Sequence, residues 1–226
     1  MVAAVRKRRL VDLSHVVVDG MTTYPGLPAP RVGDHLTREK SRPRYAPGTE
    51  FHIGRIEMVG NTGTYLDAPS HRFADGVDIA GLPLESAADL PGIVVRFLDR
   101  PDAALSVEDL LPYDVAGKAV LIHTGWDRHW GDERYFDGHP HLSAEAARHL
   151  AARAALVGID SLNVDGAADL TRPAHTALLG AGVPVVEHLR GLDQLPPTGF
   201  RFHAAPVAVA SMGTFPVRAY AVLDSG

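Results

Sequence analysis

The chain has 226 residues, enough for one α/β domain with a packed core, and its 46% hydrophobic and 22% charged residues exclude a disordered or fibrous protein. Lys plus Arg number 22 against 27 Asp plus Glu, a net charge of −5 that argues against a nucleic-acid binder with a broad basic face. With 0 cysteines, disulfides, thiolate metal sites and a cysteine nucleophile are excluded, so any metal must sit on nitrogen or oxygen.

In chain order, Arg9 to Val18 reads as a first strand, followed by a Gly/Pro loop from Gly20 to Pro30 that contains Tyr24, Pro25 and Gly26. Arg38 to Thr49 is polar and carries Pro43 and Pro47, the pattern of an irregular surface excursion. Phe51 to Val59 is the next strand. Further apolar runs predict strands at Ile93 to Leu98, Ala119 to His123, Ala155 to Ile159, Val183 to Val186, Ala205 to Ala210 and Val217 to Val222. Three helices punctuate them. Ser106 is a hydroxyl N-cap for a short helix ending before Pro112, and Ser143 caps a longer one over Ala144 to Ala154. In that second helix Ala147, Leu150, Ala151 and Ala154 share a face. A third helix starts near Pro173 and runs through Leu179. Strands outnumber helices without strict alternation, which predicts a single α/β domain over residues 1–226, a mixed sheet core with flanking helices. The basic runs Arg6 to Arg9 and Arg38 to Arg44 read as solvated edges. No apolar run reaches the roughly 18 residues of a bilayer span and the N-terminus lacks a signal-peptide pattern, so the expectation is a cytoplasmic protein without membrane contact.

The richest stretch for chemistry is Asn61-Thr62-Gly63-Thr64-Tyr65-Leu66-Asp67-Ala68-Pro69-Ser70-His71, which reads as a turn following a strand. Asp67 and His71 lie four apart, and Pro69 restricts the path so that both side chains can converge from one rigid loop. Glu187 ends the run Val183-Pro184-Val185-Val186, so a carboxylate arrives where a strand leaves the core and requires a cation, a donor or a proton. His175 stands just inside a helix start. Asp67, His175 and Glu187 together make a nitrogen/oxygen set suited to one divalent metal, zinc or manganese. Trp126 is a candidate wall for an aromatic substrate, with core packing as the alternative. Asp160 and Asp165 read as local turn residues.

These residues resemble a known family. The turn is similar to the signature HxGTHxDxPxH of the cyclase family of metal-dependent hydrolases, which includes bacterial kynurenine formamidase and isatin hydrolase. The resemblance continues through Val11-Asp12-Leu13-Ser14, Tyr24-Pro25-Gly26, Leu121-Ile122-His123-Thr124-Gly125-Trp126 and His139-Pro140-His141-Leu142-Ser143. It extends to Val157-Gly158-Ile159-Asp160, Val186-Glu187-His188-Leu189 and Pro216-Val217-Arg218-Ala219. It implies the swivelling β/β/α architecture, a homodimer or homotetramer, and a small-molecule substrate. It further implies that Asp67, His175 and Glu187 are metal ligands and His71 a general acid/base. Two positions depart from the family pattern: Asn61 and Tyr65 stand where the signature has its first two histidines. Amide and phenol replace two imidazoles poorly on zinc, so the family's first metal site is expected to be lost. Tyr24 stands where the family has tryptophan, and with Asn61 it is assigned to substrate binding.

Three functions fit these residues. The first is an arylformamidase-like hydrolase of an amide or lactone in a small aromatic carbonyl compound, with one metal and His71 moving the proton. The second is a metal-independent cyclase, dehydratase or isomerase using His71, Asp67 and Tyr65. The third is a non-catalytic homologue that binds a small molecule.

Overall fold

A computed structural model describes residues 8–223, so Arg6 and Lys7 of the first basic run lie outside the described residues, whereas Arg8 and Arg9 are exposed. The strands are β1 (Arg9–Asp12), β2 (Arg31–Leu36), β3 (Ile53–Glu57), β4 (Tyr65–Asp67), β5 (Leu90–Arg96), β6 (Ala104–Leu105) and β7 (Ala119–His123). They continue with β8 (His141–Leu142), β9 (Leu156–Ile159), β10 (Val185–Glu187), β11 (Phe200–His203), β12 (Thr214–Pro216) and β13 (Tyr220–Leu223). The helices are α1 (Arg38–Ser41), α2 (Val107–Leu110), α3 (Ala144–Ala151) and α4 (Pro173–Gly180).

A 9-stranded sheet runs β1-β13-β11-β5-β7-β9-β10-β4-β12. Its centre, β5-β7-β9-β10, is parallel, and antiparallel strands extend it on both sides, giving the mixed α/β sheet expected from the sequence. The central strands are buried on both faces, which is why they read as unbroken apolar runs. Ile93, Val95, Val120, Ile122, Val157 and Ile159 point toward α3 and α4, where Leu150 and Leu178 are fully buried. Burial of a leucine side chain of this size contributes about 1.5–3 kcal/mol. Val94, Leu121, Leu156 and Val186 face the other way and meet Val11, Leu66, Phe202 and Ala221 from the outer strands. Residues from both ends of the sheet thus share one cluster, as curling of the sheet requires.

The caps behave as read. Ser106 and Asp109 form a reciprocal capping box on α2, and Ser143 Oγ accepts from Ala146 N at 3.1 Å to start α3. α3 stops at Ala151, short of Ala154. Several expectations need correction, including the strand from Val217 to Val222, where β12 ends at Pro216 and β13 starts at Tyr220. β1 ends at Asp12 instead of Val18. The predicted strand at Ala205 to Ala210 does not form: Pro206 lacks a ladder donor, and Val207 is exposed. The strand there is instead β11, in which Phe200 and Phe202 point inward while Arg201 and His203 are half-exposed. The turn from Asn61 contains β4, whose polar Asp67 hid the strand. The excursion from Arg38 includes the short helix α1, capped by Thr37. No helix among the described residues is long and apolar enough to cross a membrane.

Gly158 in β9 marks a close approach of side chains within the core. A Cβ there would meet Leu189 Cδ1 at 2.7 Å and Leu121 Cδ2 at 2.9 Å. Gly158→Ala is expected to destabilise the fold by about 1–3 kcal/mol through overpacking, measured by denaturant unfolding. An unchanged midpoint would show that this contact is not tight.

Candidate active site

β4 carries the centre of the site. Along it Leu66 enters the core, so by strand alternation Tyr65 and Asp67 share the opposite face. Antiparallel register selects their neighbours: Glu187 on β10 lies across from Tyr65, and Thr214 on β12 across from Asp67. Tyr65 Oη donates to Glu187 Oε2 at 2.7 Å. Thr214 Oγ1 donates to Asp67 Oδ1. The single 3-10 turn Pro69–His71 then brings His71 Nδ1 to 2.7 Å from the same Thr214 oxygen.

A hydroxyl has one proton to give. With that proton on the bond to Asp67, His71 Nδ1 must be the donor to Thr214, which leaves Nε2 as the ring nitrogen not engaged by this network. The network itself places a proton on Nδ1. Gly213 permits the close approach, since a Cβ there would collide with the backbone of His71.

His175 is held from the other side. Asp165 caps α4 by accepting from Ala174 N at 2.6 Å and His175 N at 3.1 Å, and its Oδ2 lies 2.7 Å from His175 Nδ1. His175 Nε2 is therefore free to face Asp67 Oδ2 and Glu187 Oε1, each at 3.6 Å. Asp67 Oδ2 is buried and has no hydrogen-bond partner among the described residues. Burial opposes charge on His175, yet its hydrogen bond to Asp165 and the negative charges of Asp67 and Glu187 prevail and push its pKa up to about 10. Glu187 is raised to about 7, chiefly by burial, with His175 opposing and Asp67 adding to the rise. Burial and the neighbouring carboxylates Glu187 and Asp67 raise the Tyr65 phenol well above its ordinary value, so it remains a donor.

Behind Tyr65 runs a second buried line. His188 Nε2 lies 3.3 Å from Tyr65 Oη, and Tyr135 Oη lies 2.9 Å from His188 Nδ1. Because the Tyr65 proton goes to Glu187, the direction is fixed: Tyr135 donates to His188, and His188 donates to Tyr65. Burial lowers the His188 pKa to about 3, so the ring is neutral. The His188 backbone has φ 57, a left-handed conformation that costs a non-glycine residue energy and is held here by its buried partners.

A cavity of 330 Å³ opens over these groups, bordered by Tyr24, Asn61, Tyr65, His71, His175 and Glu187. That volume lies in the range of small-molecule sites. A separate hollow of 470 Å³ lies beyond Asp165, bordered by His139 and His141, and does not include the acid/base cluster.

The donor set fits a divalent cation on the orphaned oxygen of Asp67. Ligand atoms about 2.1 Å from a tetrahedral ion stand roughly 3.4 Å apart, close to the observed 3.6 Å spacings. Asp67, His71 and His175 offer ligand atoms within 4.8 Å of one another. Glu187 stands differently from its expected role as a free ligand: its two oxygens are engaged by Tyr65 Oη and by Val164 N at 2.8 Å.

The structure gathers Tyr65, Asp67, His71, His175, Glu187, Asn61 and Tyr24 at one cavity and leaves Trp126 outside it. Gly125, at φ 70, turns Trp126 into an aromatic cluster with Tyr135 and Leu162, where its Nε1 donates to Tyr135 O at 3.0 Å. Trp126 is therefore corrected from a substrate wall to packing. Two working residues were not identified from the sequence. Asp165 carries a faint signal, an Asp eight residues before the proline-initiated helix α4, but a turn explains it locally. Thr214 carried none, since only the pairing of β12 with β4 brings it to Asp67.

This arrangement gathers carboxylates, imidazoles and a phenol on one face of a mixed α/β sheet. The family model described as "Putative cyclase" matches residues 11–166, and the chain belongs to that cyclase family, an enzyme of the hydrolase or cyclase kind. Kynurenine formamidase of Erythrobacter litoralis is 29% identical over 210 residues, 90% of this chain and 88% of the relative. Kynurenine formamidase of Bordetella avium is 28% identical over 215 residues, 94% and 97% of the two chains. Among solved structures, isatin hydrolase A from Labrenzia aggregata superposes with a TM-score of 0.81 at 24% identity, covering 96% of this chain and 94% of the other. A potential metal-dependent hydrolase with cyclase activity gives 0.79 at 24% identity, covering 97% and 100%. The structural likenesses show the shared fold.

Removing the Tyr65 hydroxyl strips a donor from Glu187 and an acceptor from His188. Tyr65→Phe is expected to cost on the order of 1–3 kcal/mol of folding stability in urea unfolding. A neutral result would show that the phenol only fills space.

Proposed function

We propose that the protein hydrolyses a C–N amide or lactone bond in a small aromatic carbonyl compound, with one divalent cation on Asp67 and His175 and with His71 as general acid/base. The observation that carries this reading is the buried, unpartnered Oδ2 of Asp67 facing His175 Nε2 at 3.6 Å. The kynurenine formamidase and isatin hydrolase relatives support the bond type, and the ring of Tyr24 and the side chain of Leu27 at the cavity support an aromatic substrate.

When bound by Asp67 and His175, a divalent cation would supply Lewis acidity toward a carbonyl oxygen and a water. The protein's own groups supply the rest. Asp165 fixes the His175 ring so that Nε2 faces inward, the arrangement by which an outer carboxylate orients a ligating histidine. Thr214 holds His71 in the tautomer that leaves Nε2 free to take a proton from water and return it to the leaving nitrogen or oxygen. Tyr65 keeps Glu187 beside His175, where Oε1, while accepting from Val164 N, lies 3.6 Å from Nε2 and would add its charge to a bound cation's ligands.

A second assignment within the same reaction is favoured by the close Asp67, His71 and His175 trio: His71 as third ligand and Glu187, raised to about 7, as proton carrier. Metal titration and turnover of formanilide by two variants separate the two. His71→Ala is expected to retain metal binding and lose roughly 10²–10⁴ in kcat, whereas Glu187→Gln loses metal affinity. The reverse pattern supports the second assignment. If the parent protein neither carries nor binds a divalent transition metal, the metal reading ends and the metal-independent acid/base reaction of His71, Asp67 and Tyr65 replaces it.

A further inference from the structure

Two guanidinium groups border the cavity without a part in the reaction above. Arg72 follows His71 directly, and Arg172 immediately precedes α4, which carries His175. The ion pairs within the site run among His71, His175, Asp67, Asp165 and Glu187, and neither arginine takes part in one among the described residues. Each is instead steadied by a neutral partner. Arg72 Nε donates to Thr176 Oγ1 at 3.3 Å, and its guanidinium carbon lies 5.3 Å from the centre of the Phe73 ring. Arg172 Nη1 donates to Gly166 O at 3.3 Å. Both keep further N–H groups unspent, since a guanidinium has five.

Arg172 also has φ 51, a left-handed conformation rare for a side chain of its size, and it occupies the N-cap position without capping by its own side chain. Asp165 does the capping, so the arginine is not needed to start the helix. Strain of this kind gathers where a chain clamps a ligand.

The charges of the floor set the direction. Asp67, Asp165 and Glu187 surround one imidazole at the base of the cavity, so an anionic group is disfavoured there and favoured beside the arginines. We propose that Arg72 and Arg172 form a carboxylate-binding subsite, which makes the preferred substrates aromatic carbonyl compounds bearing an anionic group on the side away from the scissile bond. The substrate class rests on the hydrolase reading above; the subsite itself does not. Arginine is suited to the task because its planar fork meets a carboxylate with two parallel bonds.

The test is calorimetric binding of benzoate and of its neutral isostere benzamide to the full-length protein, with and without bound divalent metal. The parent is expected to bind benzoate at least about tenfold more tightly, the scale of one charge-assisted hydrogen bond. Arg72→Gln/Arg172→Gln is expected to abolish that preference, and each single variant to reduce it, which keeps the test decisive if the double variant folds poorly. Equal binding of the two probes by the parent, or no detectable binding of benzoate, overturns the subsite. A preference that survives removal of both arginines also overturns it, because the carboxylate then sits on the floor or on the metal. Failure to turn over any amide or lactone would sink the hydrolase reading while leaving the benzoate preference measurable.

Discussion

Asp67 enters the interior on a strand of three residues, with no access to water, and an ionised carboxylate in such a place must be satisfied or neutralised. One oxygen is satisfied by Thr214. The other is not, and it faces an imidazole that is itself braced by Asp165. The polar features of the site follow from this requirement. His71 takes its tautomer from the hydroxyl that serves Asp67, and His175 takes its charge from the carboxylates around it. Glu187 is kept within reach by Tyr65. A site so arranged gains from either a proton on His175 or a divalent cation in its place, and for that reason its chemistry lies close to metal-dependent hydrolysis.

Tyr65 shows what a phenol contributes at the centre of this site. An imidazole at this position would offer a lone pair to a metal, whereas the phenol offers a proton to Glu187 and accepts one from His188. The ordered line from Tyr135 through His188 to Tyr65 gives each buried polar atom a partner, the condition under which such networks stabilise a core. The phenol thus acts as a donor and ties down the carboxylate across the strand. Asn61 borders the open cavity.

What could be read from the sequence had local causes. α2, α3 and α4 are marked by Ser106, Ser143 and Pro173 at their starts, and β5, β7, β9 and β10 by apolar residues on both faces. β4 and β12 have only three residues each, and their neighbours in the sheet, not their own composition, make them strands. The site divides the same way. Asp67, His71, His175 and Glu187 were named because each is an unusual residue for its place in the pattern. Thr214 is an ordinary residue whose role arises from a pairing across 147 positions, and Asp165 had a sufficient local explanation in its turn. Trp126 failed for the opposite reason: its residue type suggested a binding wall, and one left-handed glycine decided its direction.

The central claim is a specific distribution of protons: a charged imidazole at His175 and a proton on Nδ1 of His71. Nitrogen-15 NMR of the histidine side chains in metal-free protein at neutral pH reads both directly. The account predicts two protonated nitrogens on His175 and, on His71, a protonated Nδ1. A neutral His175, or a His71 protonated on Nε2 alone, would contradict it.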